Sequence, residues 1–162
     1  MKSFTSAALF LAALATASPV KRQDLDFVFQ ITGFTASKIH NSGFCNYDFD
    51  VGVPGLLNGT AHCRAYLDSG FSGATWLANV YEGAGNCDKA GITWTFNDPI
   101  PEGKDAHLNV TINGYKGLYT IPADQIIVNA NDPENPFDED VYYGGPKDFV
   151  ITEFEEVEDK EE

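Results

Sequence analysis

The chain has 162 residues, of which 24 are acidic and ten are basic, so its formal net charge at pH 7 is −14. This excess of carboxylates makes nucleic acid and anionic membranes poor partners, because binding to phosphates requires clustered lysine and arginine. The length suits a single domain with one hydrophobic core, and no second domain is expected.

The N-terminal residues contain the three parts of a secretory signal peptide. Lys2 supplies the positive charge, residues 7–14 form an apolar stretch, and small residues precede a cleavage point after Ala17. The apolar stretch is about half of the roughly 20 residues that a membrane-spanning helix needs. We therefore expect residues 1–17 to be removed and the protein to be secreted into the extracellular space.

A short pro-segment, residues 18–22, is expected to follow the signal peptide. It ends at Lys21-Arg22, a dibasic pair of the kind that kexin-type proteases of the secretory route cleave. Cleavage at this pair leaves Gln23 as the mature N-terminus. Residues 23–154 are then expected to form one β-domain.

Alternation of apolar and polar residues runs through most of the remaining chain, whereas no window keeps a helical apolar stripe. It is clearest from Cys45 to Val51, and it also assigns Trp94 to the core. Strands are predicted at Phe27–Ile31, Cys45–Val51, Ala61–Leu67, Thr75–Tyr81, Ile92–Phe96, Leu108–Ile112, Leu118–Ile121, Gln125–Val128 and Phe149–Phe154. About nine short strands separated by turn sequences such as Pro54-Gly55 indicate an all-β domain, a compact antiparallel β-barrel or β-sandwich.

The alternation stops between Asn129 and Asp140, where acidic residues and prolines predict a solvated loop. The carboxylates of this loop are Asp132, Glu134, Asp138, Glu139 and Asp140. Calcium takes six to eight oxygen ligands, so calcium is the alternative to plain solvation. The spacing matches no EF-hand and lacks its glycine, and neither a metal nor another cofactor is predicted.

A second loop is predicted where two tyrosines precede a glycine pair and a proline. This candidate contact loop consists of Tyr142, Tyr143, Gly144, Gly145, Pro146, Lys147 and Asp148. Exposed tyrosines in loops often mark contact surfaces, but the same rings also suit packing, and both interpretations stay open. At the end of the chain, residues 155–162 form an acidic tail that is expected to be disordered, because its like charges repel one another.

The three cysteines, Cys45, Cys63 and Cys87, are expected to pass through an oxidising compartment. Two of them are then expected to form a bridge, and one thiol is left over. Three pairings are possible. A turn at Pro54-Gly55 brings Cys45 close to Cys63 in a hairpin, so the residues alone leave the pairing open.

No catalytic constellation stands out in the sequence. A Gly-x-Ser-x-Gly elbow is absent, His40, His62 and His107 lie in unrelated contexts, and the cysteines are too widely spaced for a zinc site. Glycosidases use two carboxylates that face each other across a cleft. Because the chain has 24 acidic residues, some pair will always look suitable, so such a pair is no evidence for glycosidase chemistry. A non-enzymatic protein is therefore predicted. Asn58-Gly59-Thr60 and Asn109-Val110-Thr111 are candidate glycosylation sites, which suits export.

The segment Gly145–Val150, Gly-Pro-Lys-Asp-Phe-Val, resembles the Alternaria major allergen-like family of small secreted fungal proteins, whose last strand opens with such a segment. Residues 27–34, the strand from Cys45 to Val51 and the surroundings of Cys63 and Cys87 follow the order of that family. The resemblance covers nearly the whole mature chain. It implies a compact antiparallel β-barrel or sandwich with no established enzymatic activity, met as an allergen or as an elicitor of plant defence.

The resemblance also implies a disulfide bond between Cys63 and Cys87. The second bridge of the family is missing, because Ile151 stands at one of its positions and no cysteine lies near the other, at Glu139. Cys45 is then left over. We expect its thiol to be buried in the core, and the alternative is an exposed thiol that joins two copies covalently.

These features favour a secreted, non-enzymatic protein, similar to an effector or an allergen, that contacts a host protein or a small ligand. It is expected to be a monomer or a weak homodimer, with neither nucleic acid nor a membrane as a partner. Two alternatives belong to other classes: an extracellular hydrolase that uses carboxylates, and a wall-associated structural protein.

Overall fold

The computed structural model describes residues 27–98, 103–130, 134–135 and 138–156. The predicted signal peptide and pro-segment, with Ala17 and Lys21-Arg22, lie outside these ranges, as does the acidic tail from residue 157. Within the described ranges the chain forms eleven strands and one short 3₁₀ helix, Ala123–Gln125. The strands are β1 Phe29–Lys38, β2 Phe44–Gly52, β3 Thr60–Asp68, β4 Asn86–Cys87, β5 Ile92–Asn97, β6 Ala106–Ile112, β7 Tyr115–Ile121, β8 Ile126–Ala130, β9 Glu139–Tyr143, β10 Phe149–Ile151 and β11 Glu153–Glu156.

The strands form two antiparallel sheets, which confirms the all-β fold. Sheet A has the order β4-β3-β2-β1-β9-β8, and β10 also pairs with β1, near its N-terminal end. Sheet B has the order β11-β7-β6-β5. The sheets do not close on themselves, so the sandwich is the better description and the barrel is not supported. Among the described residues, no helix has the length and apolar character needed to cross a membrane.

The core lies between the two sheets and is lined with aromatic rings. The inward residues of β2 are buried, as the alternation predicts. Trp94 of sheet B is also buried, as predicted, and its ring lies 5.9 Å from that of Tyr47 and 5.1 Å from that of Phe49, between centroids. The indole packs directly on Gly85, where a Cβ would stand 2.4 Å from Trp94 Cε2. A glycine is therefore required at this position.

The prediction of a strand at Thr75–Tyr81 is wrong. Only Val80 makes a β-bridge there, with Phe96, and the rest of the segment has no neighbouring strand. Leu77, Ala78 and Val80 are buried, and the backbone of the segment is held by side chains rather than by a ladder. The apolar residues of this segment therefore indicate burial and not sheet pairing.

The loop predicted between Asn129 and Asp140 is wrong at both ends, and at its start Asn129 and Ala130 belong to β8. Glu139 and Asp140 belong to β9, which pairs with β8 and, at Tyr142, with Ser37 of β1. Tertiary pairing here outweighs the low strand propensity of acidic residues. Tyr142 and Tyr143, which were assigned to the contact loop, are therefore strand residues.

The strand predicted at Phe149–Phe154 is two strands in different sheets. β10 pairs with β1 in sheet A, and after Thr152 the chain continues as β11, which pairs with β7 in sheet B. β11 includes Glu155 and Glu156, which were assigned to the acidic tail. Lys116 lies beside this strand, with its Nζ 3.5 Å from Glu155 Oε2. The described β-domain therefore extends two residues further than predicted.

Cys63 and Cys87 form a disulfide bond, which confirms the predicted pairing. The bond joins β3 to β4, the short edge strand of sheet A. Cys45 is free and buried, and burial raises the pKa of its thiol. The expectation of a core thiol is therefore confirmed, and the alternative of an exposed cysteine that links two copies is not.

Candidate contact surface

The candidate contact loop, residues 142–148, contains one packing tyrosine and one exposed tyrosine. Tyr143 points into the core, and its hydroxyl donates a 2.9 Å hydrogen bond to the carbonyl of Pro146. Burial raises the pKa of Tyr143 to about 12. Tyr142 keeps 37% of its surface exposed and accepts a 3.3 Å hydrogen bond from Asn129 Nδ2.

The rest of this segment is tied to the body of the sandwich. Gly144 N donates to the carbonyl of Gln125, and Phe34 N donates to that of Lys147, at 2.7 and 2.8 Å. The carboxylate of Asp148 accepts a 2.9 Å hydrogen bond from the backbone N–H of Gly33. Gly144–Asp148 is therefore a hydrogen-bonded connection between two strands of sheet A.

Three exposed rings and one partly buried ring lie at one end of the sandwich, and we call Phe44, Tyr66, Phe71 and the partly buried Trp76 the aromatic surface. Phe44 and Tyr66 stack with their centroids 4.8 Å apart and are 38% and 58% exposed. Phe71 is 50% exposed and meets Trp76 edge to face at 5.4 Å. The backbone of Phe71 lies against Gly43, next to Phe44, so the two ring pairs are neighbours.

Sequence analysis did not predict this surface, because stacking of the rings depends on strand register. Phe44 pairs with Asp68, which places it diagonally across from Tyr66 on the outer face of sheet A. The available signal was the alternation in β3, where Tyr66 occupies a polar position between Arg64 and Asp68. An aromatic residue on the polar face of a strand is a candidate for contact, and that signal was missed.

Residues 69–79, which we call the anchored segment, carry Phe71 and Trp76. Lys38 Nζ, at the end of β1, donates to the carbonyls of Ser72 and Ala74 at 2.8 and 2.9 Å. Lys38 is buried, and this burial lowers its pKa. One lysine thus satisfies two carbonyls of a segment that has no strand partner.

Further polar groups fix the end of the anchored segment. Leu77 N donates to Asp98 Oδ2 at 2.8 Å, and Ala78 N donates to the thiol of Cys45 at 3.4 Å. The hydroxyl of Tyr47 donates to the carbonyl of Ala78. The segment is therefore held by buried hydrogen bonds while the ring of Phe71 remains exposed.

Replacing Tyr47 with phenylalanine is expected to lower the free energy of unfolding by about 1–2 kcal/mol, because the buried carbonyl of Ala78 loses its donor. Urea denaturation measures the change. Tyr81→Phe is the matched control, since Tyr81 is 72% exposed and should lose no stability. Equal stability of the two variants would show that the Tyr47 hydroxyl does not hold the segment.

His62 lies between two carboxylates on the outer face of sheet A. Its Nδ1 is 2.9 Å from Asp50 Oδ1, and its Nε2 is 3.2 Å from Asp48 Oδ2. The hydrogen bond to Asp50, and then the charge of Asp48, raise the pKa of the imidazole. Both ring nitrogens are engaged, which suits an imidazolium that joins β3 to β2 and not a free general base.

His62→Gln is expected to lower the Tm near pH 5 and to have a smaller effect near pH 8. The folded-state pKa of His62 is raised, so its stabilisation is complete below the unfolded value of about 6.5 and is lost as pH rises through the folded value. Thermal melts over this pH range measure the difference. His107→Gln, at an exposed position of β6, is the control, and a pH-independent difference for His62→Gln would contradict the prediction.

His40 has a similar setting at the turn after β1. Its Nε2 is 3.4 Å from Asp138 Oδ1, and its Nδ1 is 3.1 Å from Asp140 Oδ1. These aspartates come from the predicted acidic loop, of which Asp132 lies outside the described residues. Within the described part of the chain, no group of three or more His, Cys, Asp or Glu side chains is arranged to hold a metal ion.

The two sequons occupy different surroundings. Asn58 lies in the exposed turn between β2 and β3, and its carbonyl accepts a 2.5 Å hydrogen bond from Lys89 Nζ. Asn109 lies in β6, where its Nδ2 donates to Thr95 Oγ1 at 3.2 Å. Use of either site stays a prediction.

Comparison with family models, with curated proteins and with solved structures found no match to this chain. The function is therefore inferred from the surface of the protein itself. The aromatic surface, the tied connection at 144–148 and the two histidine–carboxylate groups are the features available for that inference.

Proposed function

We propose that the protein is an exported, non-enzymatic binding protein that contacts host proteins or small ligands through the aromatic surface. The observation that carries this proposal is a pair of ring contacts at one end of the sandwich, Phe44 with Tyr66 and Phe71 with the partly buried Trp76, in which three of the four rings are exposed. Aromatic side chains dominate the binding energy of protein interfaces, and clustered exposed rings mark interaction sites.

The anchoring of the surface supports a role in binding. A loop that must be ordered on association loses binding energy, whereas a surface that is already fixed does not. Lys38 and Asp98 fix residues 69–79 through buried hydrogen bonds, so Phe71 and Trp76 are presented by a segment held in place. These buried polar contacts are consistent with a surface that is kept ready for a partner.

Export is supported by the signal sequence and by the disulfide bond, since such bonds persist in oxidising compartments. The resemblance to secreted fungal allergens and elicitors points the same way. His40 and His62 each place both ring nitrogens against carboxylates, so neither suits a free general base, and the hydrolase alternative that uses carboxylates is decided by the turnover test below. A host protein or a small ligand is therefore the partner we propose.

The test uses protein secreted from the full-length gene, immobilised and exposed to plant apoplastic or epithelial extract. Wild type is compared with the triple variant Phe44→Ser, Tyr66→Ser, Phe71→Ser, and with Tyr81→Ser as the control for an exposed ring elsewhere. We expect the retained partner to fall by at least about tenfold in the triple variant only, as for the loss of interface hot spots.

Two results would contradict the proposal. One is retention of the same partners by wild type and by the triple variant. The other is turnover of a polysaccharide, ester or peptide substrate that a single Asp or Glu substitution abolishes, which would favour the hydrolase. Far-ultraviolet circular dichroism of each variant checks that the sandwich is intact.

A further inference from the structure

Four residues form a straight row across sheet A, and we call Tyr142, Ser37, Asn46 and Tyr66 the tyrosine row. Each is the direct cross-strand partner of the next: Tyr142 pairs with Ser37, Ser37 with Asn46, and Asn46 with Tyr66. The row therefore crosses β9, β1, β2 and β3 at a right angle to the strands.

The side chains of the row lie on the outer face of the sheet. Tyr142 stands between buried Val141 and Tyr143, and Asn46 stands between buried Cys45 and Tyr47. Successive residues of a strand point to opposite faces, and direct cross-strand partners share a face. The same reasoning holds for Ser37 and Tyr66, whose preceding residues, Ala36 and Ala65, are buried.

The row has an aromatic ring at each end and short polar groups between. Its two tyrosines are three strand spacings apart, about 14 Å. Tyr66 is supported by its stack with Phe44, and the hydroxyl of Tyr142 is bound by Asn129. The hydroxyl of Ser37 and the amide of Asn46 form the floor between the rings.

This arrangement suits an extended chain of sugar rings. The apolar face of a sugar ring packs on an aromatic ring, and its hydroxyl groups exchange hydrogen bonds with amides and hydroxyls such as those of Asn46 and Ser37. A flat row without a deep pocket fits a linear polymer lying across the strands better than a compact small molecule, which needs a concave site.

The charged side chains around the row indicate which kind of sugar would bind. Asp48, Asp68 and Asp140 each lie two residues from a member of the row on the same strand, hence on the same face. Arg64 is the cross-strand partner of Asp48. His40 lies beside Asp140, and His62 lies beside Asp48, so part of the negative charge is compensated. The protein as a whole carries −14, which attracts cationic groups.

We infer that the tyrosine row is a binding site for a linear cationic amino-sugar polymer, with sugar rings stacked on Tyr66 and Tyr142 and ammonium groups near the flanking carboxylates. This inference rests on the proposed binding function, because Tyr66 also belongs to the aromatic surface. It adds Tyr142, Ser37 and Asn46, which the aromatic surface does not include, and it names the chemistry of the ligand.

The test is isothermal titration calorimetry of the secreted protein with a β-1,4-linked glucosamine hexamer near pH 5.5 at low salt. We expect binding that Tyr142→Ala and Tyr66→Ala each weaken by at least about tenfold, while Tyr81→Ala leaves it unchanged. The N-acetylated hexamer and a neutral glucan hexamer are expected to bind at least about tenfold more weakly, because they lack the ammonium groups.

Three results would overturn the inference: no heat of binding with the glucosamine hexamer, wild-type affinity in Tyr142→Ala, or equal affinity for a lysine hexapeptide, which would mean attraction by charge alone. Thermal melts of Tyr142→Ala confirm that it is folded. If the hexamer fails to bind but Phe71→Ser still loses the captured partner, only this inference fails. If Phe71→Ser retains the partner while Tyr142→Ala loses the hexamer, only the proposed function fails.

Discussion

Replacing Lys38 with methionine is expected to lower the free energy of unfolding by about 3 kcal/mol. The buried carbonyl of Ala74 and the part-buried carbonyl of Ser72 lose their donor, and an unsatisfied buried group costs about 1–3 kcal/mol. Part of this cost is offset, because a methionine removes the penalty of burying an ammonium group, the same penalty that lowers the pKa of Lys38. The unpaired carbonyls decide the sign of the change in stability, since the carbonyl of Ala74 stays buried and that of Ser72 stays partly buried.

Urea denaturation gives the stability of Lys38→Met, and hydrogen exchange shows where the protein loosens. We expect faster exchange in residues 69–79 and reduced capture of partners, because Phe71 and Trp76 lose their support. Lys104→Met is the matched control, since Lys104 is exposed. A loss below about 0.5 kcal/mol in Lys38→Met, as for an ordinary surface change, would mean that the lysine does not anchor the segment.

The sequence predicted strands correctly where one face of the strand is buried and the other is exposed to solvent, and this was enough for the fold class. In β2 each inward residue from Cys45 to Val51 is buried, so an alternating pattern was sufficient. The prediction of a disulfide bond between Cys63 and Cys87 came from the resemblance to a family and not from hairpin geometry. In the structure β2 and β3 do form the expected hairpin, but Cys45 lies opposite Leu67 and Cys63 lies opposite Phe49. The hairpin register thus separates the two cysteines.

The errors came from segments where local pattern and tertiary pairing disagree. Thr75–Tyr81 reads as a strand because its apolar residues face the core, yet Lys38, Tyr47 and Asp98 take the hydrogen bonds that a neighbouring strand would supply. Glu139–Tyr143 reads as a loop because it begins with carboxylates, yet two strands flank it. Neither outcome is encoded in the segment itself.

The candidate surfaces depend even more on register. The tyrosine row joins residues more than a hundred positions apart in sequence, Ser37 and Tyr142, and only the order of strands in sheet A brings them together. The bonds of His62 to Asp48 and Asp50 likewise require the pairing of β2 with β3. Prediction of the β2–β3 hairpin is enough to bring His62 near the two aspartates, whereas no local rule brings Ser37 and Tyr142 together.

Removing the disulfide bond through Cys63→Ala and Cys87→Ala is expected to lower the free energy of unfolding by about 3 kcal/mol and the Tm by about 10 °C. The bond spans 24 residues, and opening that loop restores conformational entropy to the unfolded chain. The effect should be felt first at β4, because this strand of two residues has little other pairing.

The double variant is needed because a single substitution leaves a second free thiol that can form wrong bridges. Thermal melts and urea denaturation measure the loss, with Cys45→Ala as a comparison that removes a cysteine but no disulfide bond, its own effect being the loss of the Ala78 hydrogen bond and of buried packing. Cys45 in the native wild type should also resist thiol reagents, because burial raises the pKa of its thiol and limits access to it. If the double variant melts at the wild-type temperature, β4 is held by its packing alone. A Cys45–Cys63 peptide in a non-reducing digest of the wild type would instead mean that the chain bridges differently in solution.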